Sequence, residues 1–226
     1  MKPKIIGIVG GAGPFAGLRL FERLLFLSSR QYGCYKDGDY PQVLLNSFPF
    51  SDMLTDKKNP KLLKTELTLS LNQLRAQGAE VLAIACNTLH NFLEEDQEQE
   101  DLIHLPNLLG EELRLDEVPL VLCTRTSREN KLHKKFFECR YPELSLQEKV
   151  DGIIDRILQG ESRSIARDLL WVIERGKAEA VILGCTELSL FSGELASSTK
   201  KVIDPLEMLA KKMLERSFKE NQKAPA

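Results

Sequence analysis

Two stretches of the chain repeat one another, and this repeat constrains the fold more than any other feature. Gln77-Gly78-Ala79-Glu80-Val81-Leu82-Ala83-Ile84-Ala85-Cys86-Asn87-Thr88 and Gly176-Lys177-Ala178-Glu179-Ala180-Val181-Ile182-Leu183-Gly184-Cys185-Thr186-Glu187 share a pattern: a helix end, Ala-Glu, a short apolar run, a cysteine and a threonine. A short unbroken apolar run bounded by turn signals reads as a strand buried on both faces. A duplicated α/β half accounts for the recurrence. It places a cysteine at the carboxyl end of a buried strand in each copy, where open α/β sheets hold their ligands.

The rest of the sequence agrees with an α/β fold. Further strand-length runs are Ile5 to Val9, Val43 to Leu45 and Leu120 to Leu122. Between them, Pro60 to Gln77 carries Leu63, Leu67, Leu71 and Leu74 at helical spacing and stops at Gly78, which predicts an amphipathic helix. Gln147 to Arg175 carries two such stripes separated by Gly160. The expected architecture is two similar domains, each a mainly parallel sheet flanked by helices. Residues 1–106 with 204–226 form the first, carrying Cys86, and 107–203 the second, carrying Cys185. Pro106 to Pro119 is the expected crossing, and Ile203-Asp204-Pro205 begins the return. Two such halves facing each other would bring both strand ends to one cleft, a common place for a small-molecule site.

Composition narrows the function classes. With 42% apolar and 28% charged residues and a net charge of −2, the chain reads as a globular protein rather than a disordered one. Its Lys and Arg residues are interspersed with acids, so nucleic acid is not the expected partner. No run approaches the ~20 apolar residues that span a bilayer, and the apolar start is broken by Gly7 and Gly10 before a signal sequence could form. A cytoplasmic location without membrane contact is expected. The five cysteines, Cys34, Cys86, Cys123, Cys139 and Cys185, form no CxxC pair. They fit neither a disulfide framework nor a zinc site, and His104 and His133 have no metal-like spacing. Free thiols are expected, most of them as small buried hydrophobes.

Two of the thiols are placed for chemistry. Inverting a carbon acid needs a base to remove Cα–H on one face and an acid to return a proton on the other, and a thiolate and a thiol can fill these roles. Asn87 and Thr88 after Cys86, and Thr186 after Cys185, can cap or begin a helix. A helix N-terminus favours thiolate and can cradle a carboxylate. His90, one helical turn after Cys86, either tunes it or is structural.

Ile84-Ala85-Cys86-Asn87-Thr88-Leu89-His90 and Leu183-Gly184-Cys185-Thr186-Glu187-Leu188 resemble the two signature motifs of the aspartate/glutamate racemases. The resemblance implies that Cys86 and Cys185 are catalytic bases. It extends to Gly7-Ile8-Val9-Gly10-Gly11-Ala12-Gly13-Pro14, similar to a substrate-contacting glycine loop, which implicates Gly11 and Ala12. Leu44-Leu45-Asn46-Ser47 is similar to a second strand end and implicates Ser47; Cys123-Thr124-Arg125-Thr126-Ser127 resembles a substrate-binding loop and implicates Thr124 and Ser127. Asn87, Thr88, Thr186 and Glu187 are implied substrate contacts. Pro142-Glu143 followed by Lys149 resembles a segment whose lysine reaches the side-chain carboxylate of the substrate. The family works without pyridoxal phosphate or metal, often as a homodimer. Glu187 after Cys-Thr favours the aspartate or broad-specificity branch. Ala12, Phe15 and Cys123 depart from the family pattern, which touches substrate identity more than reaction type.

Other readings stay open at this stage. Gly11-Ala12-Gly13-Pro14-Phe15-Ala16 fits the dinucleotide fingerprint G-x-G-x-x-A, but Val43 to Leu45 ends in Asn46-Ser47 rather than the acid that holds a ribose. A P-loop is excluded by the missing Lys-Ser/Thr. Related two-cysteine enzymes isomerise maleate, racemise hydantoins or decarboxylate malonates, and a ligand-sensing paralogue could keep the same scaffold.

Overall fold

The computed structural model describes residues 2–51, 59–93, 99–113 and 118–219. The chain divides into two compact units, Met1–Leu105 with Leu206–Ala226, and Pro106–Pro205. Residues 114–117 of the expected crossing and 220–226 of the expected first domain lie outside the described residues.

The first unit begins with β1 (Ile6–Gly10), α1 (Pro14–Tyr32), β2 (Val43–Ser47), α2 (Pro60–Ala76), β3 (Val81–Ile84) and β4 (Leu102–Ile103). The strands form one parallel sheet in the order β2-β1-β3-β4. Pro60 opens α2, where a missing N–H costs nothing, and the Asn59 side chain accepts from the Leu62 amide at 3.2 Å, an ordinary N-cap. The helix lays Leu67, Leu71 and Leu74 on Val9, Leu82 and Ile84. Gly78 then turns the chain with φ +92°, as the sequence predicts. The unit closes with α7 (Pro205–Phe218), where Ser217 binds Lys4 twice through backbone and hydroxyl groups.

The second unit holds most of α3 (Leu105–Glu112), then β5 (Leu120–Val121), α4 (Arg125–Glu129), α5 (Leu144–Leu158), α6 (Ile165–Arg175), β6 (Ala180–Ile182) and β7 (Lys201–Ile203). Its parallel sheet has the order β5-β6-β7. Val150, Ile153, Ile154 and Ile157 of α5 and Leu169, Val172 and Ile173 of α6 cover Val181 and Leu183. The break between these helices falls at Gly160, which has φ +83°. Each unit is thus a parallel sheet with helices packed on it, the predicted α/β class.

The structure adds elements that the sequence reading did not name, the helices α1 and α4 among them. β4 and β7 are short parallel strands, and α3 occupies part of the segment read as a crossing. The runs Val43 to Leu45 and Leu120 to Leu122 also shift at their ends, the first extending to Ser47 and the second stopping at Val121.

Candidate active site

In the first unit the candidate residues follow three adjacent strands at one edge of the sheet. Gly10 pairs with Ser47 and Val9 with Ile84. The loop Gly11–Gly13, Ser47, and the Cys86-Asn87-Thr88 segment therefore leave their strands at the same level. Gly11 has φ +98°, and a Cβ there would overlap the Phe48 backbone. Only glycine lets this loop lie against the chain leaving β2, which explains the glycine pattern without a dinucleotide. Asn46 is pinned to α2, its Nδ2 donating to Ser70 Oγ at 3.0 Å and Gln73 Oε1 at 2.9 Å, and this fixes the strand end that carries Ser47. Ala12, Cys86, Asn87 and Thr88 are buried, and Ser47 is exposed.

Cys86 is followed by a short 3-10 turn, Thr88–Phe92, rather than by an α-helix. His90 Nδ1 lies 2.9 Å from the Cys86 carbonyl, and His90 Nε2 accepts the Leu105 amide at 3.2 Å. An Nε2 that accepts leaves the proton on Nδ1, so the ring is a neutral clamp between two backbone segments. Of the two roles open to His90 in the sequence, this geometry supports the structural one.

In the second unit the equivalent level follows β5 and β6. Val121 pairs with Ile182, and the Cys185 amide donates to the Leu122 carbonyl at 2.8 Å. The segments Cys123-Thr124 and Gly184-Cys185 thus leave their strands side by side. A Cβ on Gly184 would run into Val121, so glycine keeps the approach to Cys185 close. Thr124 caps α4, its Oγ1 accepting the Ser127 amide at 3.3 Å and meeting Ser127 Oγ at 3.3 Å. Cys185 enters a second 3-10 turn, Thr186–Phe191. Within it the Cys185 Sγ donates to Glu187 Oε2 at 3.3 Å, and both side chains are buried. Both cysteines therefore precede short 3-10 turns, where the sequence reads residues able to cap or begin a helix.

Two supports escaped the sequence reading. Gln147 Nε2 donates to the Cys123 carbonyl at 2.8 Å and to Asp151 Oδ1 at 2.9 Å, while Arg125 reaches Asp151 at 3.0 Å. Together they hold the loop that carries Thr124 and Ser127. The available signal was a glutamine on the buried stripe of α5. Lys149 has a setting of its own. It is exposed on α5 and lines a groove whose other lining residues include none of Cys185, Thr124, Ser127, Thr186 or Glu187.

The remaining thiols are chemically quiet. Burial pushes the Cys123 thiol far up and the Cys139 thiol up to about 11, and burial also raises Cys34. Little thiolate forms at such sites near neutrality. Among the described residues no group of three or more His, Cys, Asp or Glu side chains is arranged to hold a metal ion, and no helix is long and apolar enough to cross a membrane.

A family model described as Asp/Glu/Hydantoin racemase matches residues 33–213, most of the chain and both cysteine motifs. The chain belongs to this family. A broad-specificity amino-acid racemase of Bacillus subtilis is 25% identical, the match covering 92% of this chain and 95% of that protein. Among solved structures, an aspartate racemase homologue from Pyrococcus horikoshii is similar at TM-score 0.71 and 26% identity, over 96% of this chain and 99% of the other. The aspartate racemase of Picrophilus torridus shares the fold at TM-score 0.76 and 20% identity, over 95% and 94% of the two chains. Racemase-family membership thus agrees with the resemblance read from the cysteine motifs.

Proposed function

We propose that the protein racemises an acidic amino acid by two-base proton transfer, with Cys86 and Cys185 as the thiolate and thiol. The observation that carries this reading is the equivalence of the two cysteines. Each stands just beyond the carboxyl end of a buried parallel strand, after an unbroken apolar run and before a short turn. In the reaction one sulfur removes Cα–H as a proton, leaving a carbanion conjugated to the α-carboxylate. The other thiol delivers its proton to the opposite face, and the roles exchange for the reverse direction. The reading requires both sulfurs to approach one Cα from opposite sides.

The substrate contacts in this reading are Gly11, Ala12, Ser47, Asn87 and Thr88 from the first unit and Thr124, Ser127, Lys149, Thr186 and Glu187 from the second. Aspartate is the first substrate to test, supported by Glu187 after Cys185-Thr186 and by the broad-specificity and aspartate racemases among the relatives. The reading includes a cytoplasmic enzyme that uses neither pyridoxal phosphate nor metal. It also includes a homodimer, supported by the exposed Leu18, Leu25 and Phe26 on one face of α1.

Proton NMR in deuterated water with L-aspartate and, separately, L-glutamate tests the function. Loss of the Cα–H signal together with appearance of the D-enantiomer is expected for the better substrate. Absence of exchange with both would transfer the protein to the maleate- or hydantoin-type isomerases or to a ligand-sensing role.

A further inference from the structure

A groove of ≈ 660 Å³ opens in the second unit between the segment Arg140–Glu143, the N-terminal half of α5 and the end of α6. Its size falls in the range of small-molecule sites, about 300–1,000 Å³. Its charge is one-sided. Lys134, Arg140, Lys149, Arg175 and Lys177 line it, against the single acid Glu143. Lys177 meets Glu143 at 3.3 Å, but both side chains are largely exposed, so this pair neutralises little. Among the described residues no carboxylate pairs with the other four cations.

Aromatic rings partner two of these cations instead. The Arg175 guanidinium lies 4.0 Å above the Trp171 ring, and Lys134 Nζ lies 5.6 Å from the centre of Tyr141. Such contacts orient a cation through its face and leave N–H groups able to meet an anion. The first turn of α5 contributes Ser145 and Leu146 to the lining, adding the positive end of a helix dipole to the same space. Trp171 is 44% exposed beneath its guanidinium, a flat platform on which a planar ring can stack.

We propose that this groove binds a nucleoside phosphate. Its phosphates sit among Lys134, Arg140 and the start of α5, and its ring stacks on the Arg175–Trp171 platform. The site is independent of proton transfer at Cys86 and Cys185, so it stands or falls separately from the racemase reading.

Trp171 is the single tryptophan of the chain, so its emission reports directly on the groove. The full-length protein is titrated with ATP, with inorganic tripolyphosphate and with adenosine. The expected result is a saturable change with ATP, half-complete below about 1 mM, with tripolyphosphate at least about tenfold weaker and adenosine weaker still. Substituting Lys134→Ala and Arg140→Ala together should weaken ATP by about tenfold or more. Both side chains are exposed, and an unchanged melting midpoint verifies that this variant is folded. No saturable change with ATP up to about 10 mM, equal binding of tripolyphosphate, or unchanged affinity in the double variant would each overturn the proposal.

Discussion

The Cys185 thiol donates a hydrogen bond to Glu187 Oε2 across 3.3 Å, with both side chains buried. A carboxylate two residues along the same turn holds the S–H proton in a defined direction, fixing which rotamer the sulfur adopts before it meets a carbon acid. In the two-base proposal Glu187 positions Cys185 besides contacting substrate. Glu187→Gln, which keeps an oxygen in place, should lower kcat by about 10- to 100-fold. It should also displace the pH profile of kcat. A wild-type kcat and pH profile in this variant would assign the contact to structure alone.

The glycine loop gives a second expectation. Gly11 has φ +98° and abuts the Phe48 backbone, so Gly11→Ala introduces both strain and overlap. The loop must then move off the end of β2, carrying Ala12 with it. The expected result is a KM raised by about tenfold or more, together with a loss of stability of roughly 1–3 kcal/mol by urea unfolding. Substitution at Gly33 is the contrast, because a Cβ there meets nothing within 4 Å. It carries only the cost of its φ of +70°.

His133 predicts how stability depends on acidity. It is fully buried, packs edge-on to Phe137 and Tyr141, and burial pulls its pKa down to about 4. The unfolded chain takes up that proton near pH 6.5 and the folded one only near pH 4, so unfolding gains protons between these values. This contribution to stability is fully present above about pH 6.5 and is lost as the pH falls towards 4, by roughly 3 kcal/mol in all. His133→Leu should flatten that part of the curve, measured by urea midpoints from neutral pH down to mild acid. An unaltered slope would place the acid sensitivity elsewhere.

The parallel strands β1, β3 and β6 were legible because burial on both faces writes an unbroken apolar run. The strand β7 begins with the exposed Lys201 and β4 holds only Leu102 and Ile103, so neither produces such a run. In α3 the periodic Leu105, Leu108 and Leu109 lie around Pro106, which reads as a breaker yet falls in a first turn, where proline is tolerated. At the site, the cysteine motifs were legible because the chain states them twice. The Cys185–Glu187 contact depends on a 3-10 turn rather than an α-helix, and the His90 clamp depends on Leu105, fifteen residues away. Neither follows from local pattern. Lys149 was legible through the resemblance alone; it is exposed on α5 and lines a groove of the second unit.

The most direct measurement is the racemisation rate of Cys86→Ala and Cys185→Ala beside the wild type, with Cα deuterium incorporation followed in deuterated water from each enantiomer of aspartate. The two-base account predicts that either substitution lowers racemisation by at least about a hundredfold while substrate still binds, because one face of Cα loses its proton relay. Full racemisation retained in either variant would contradict it.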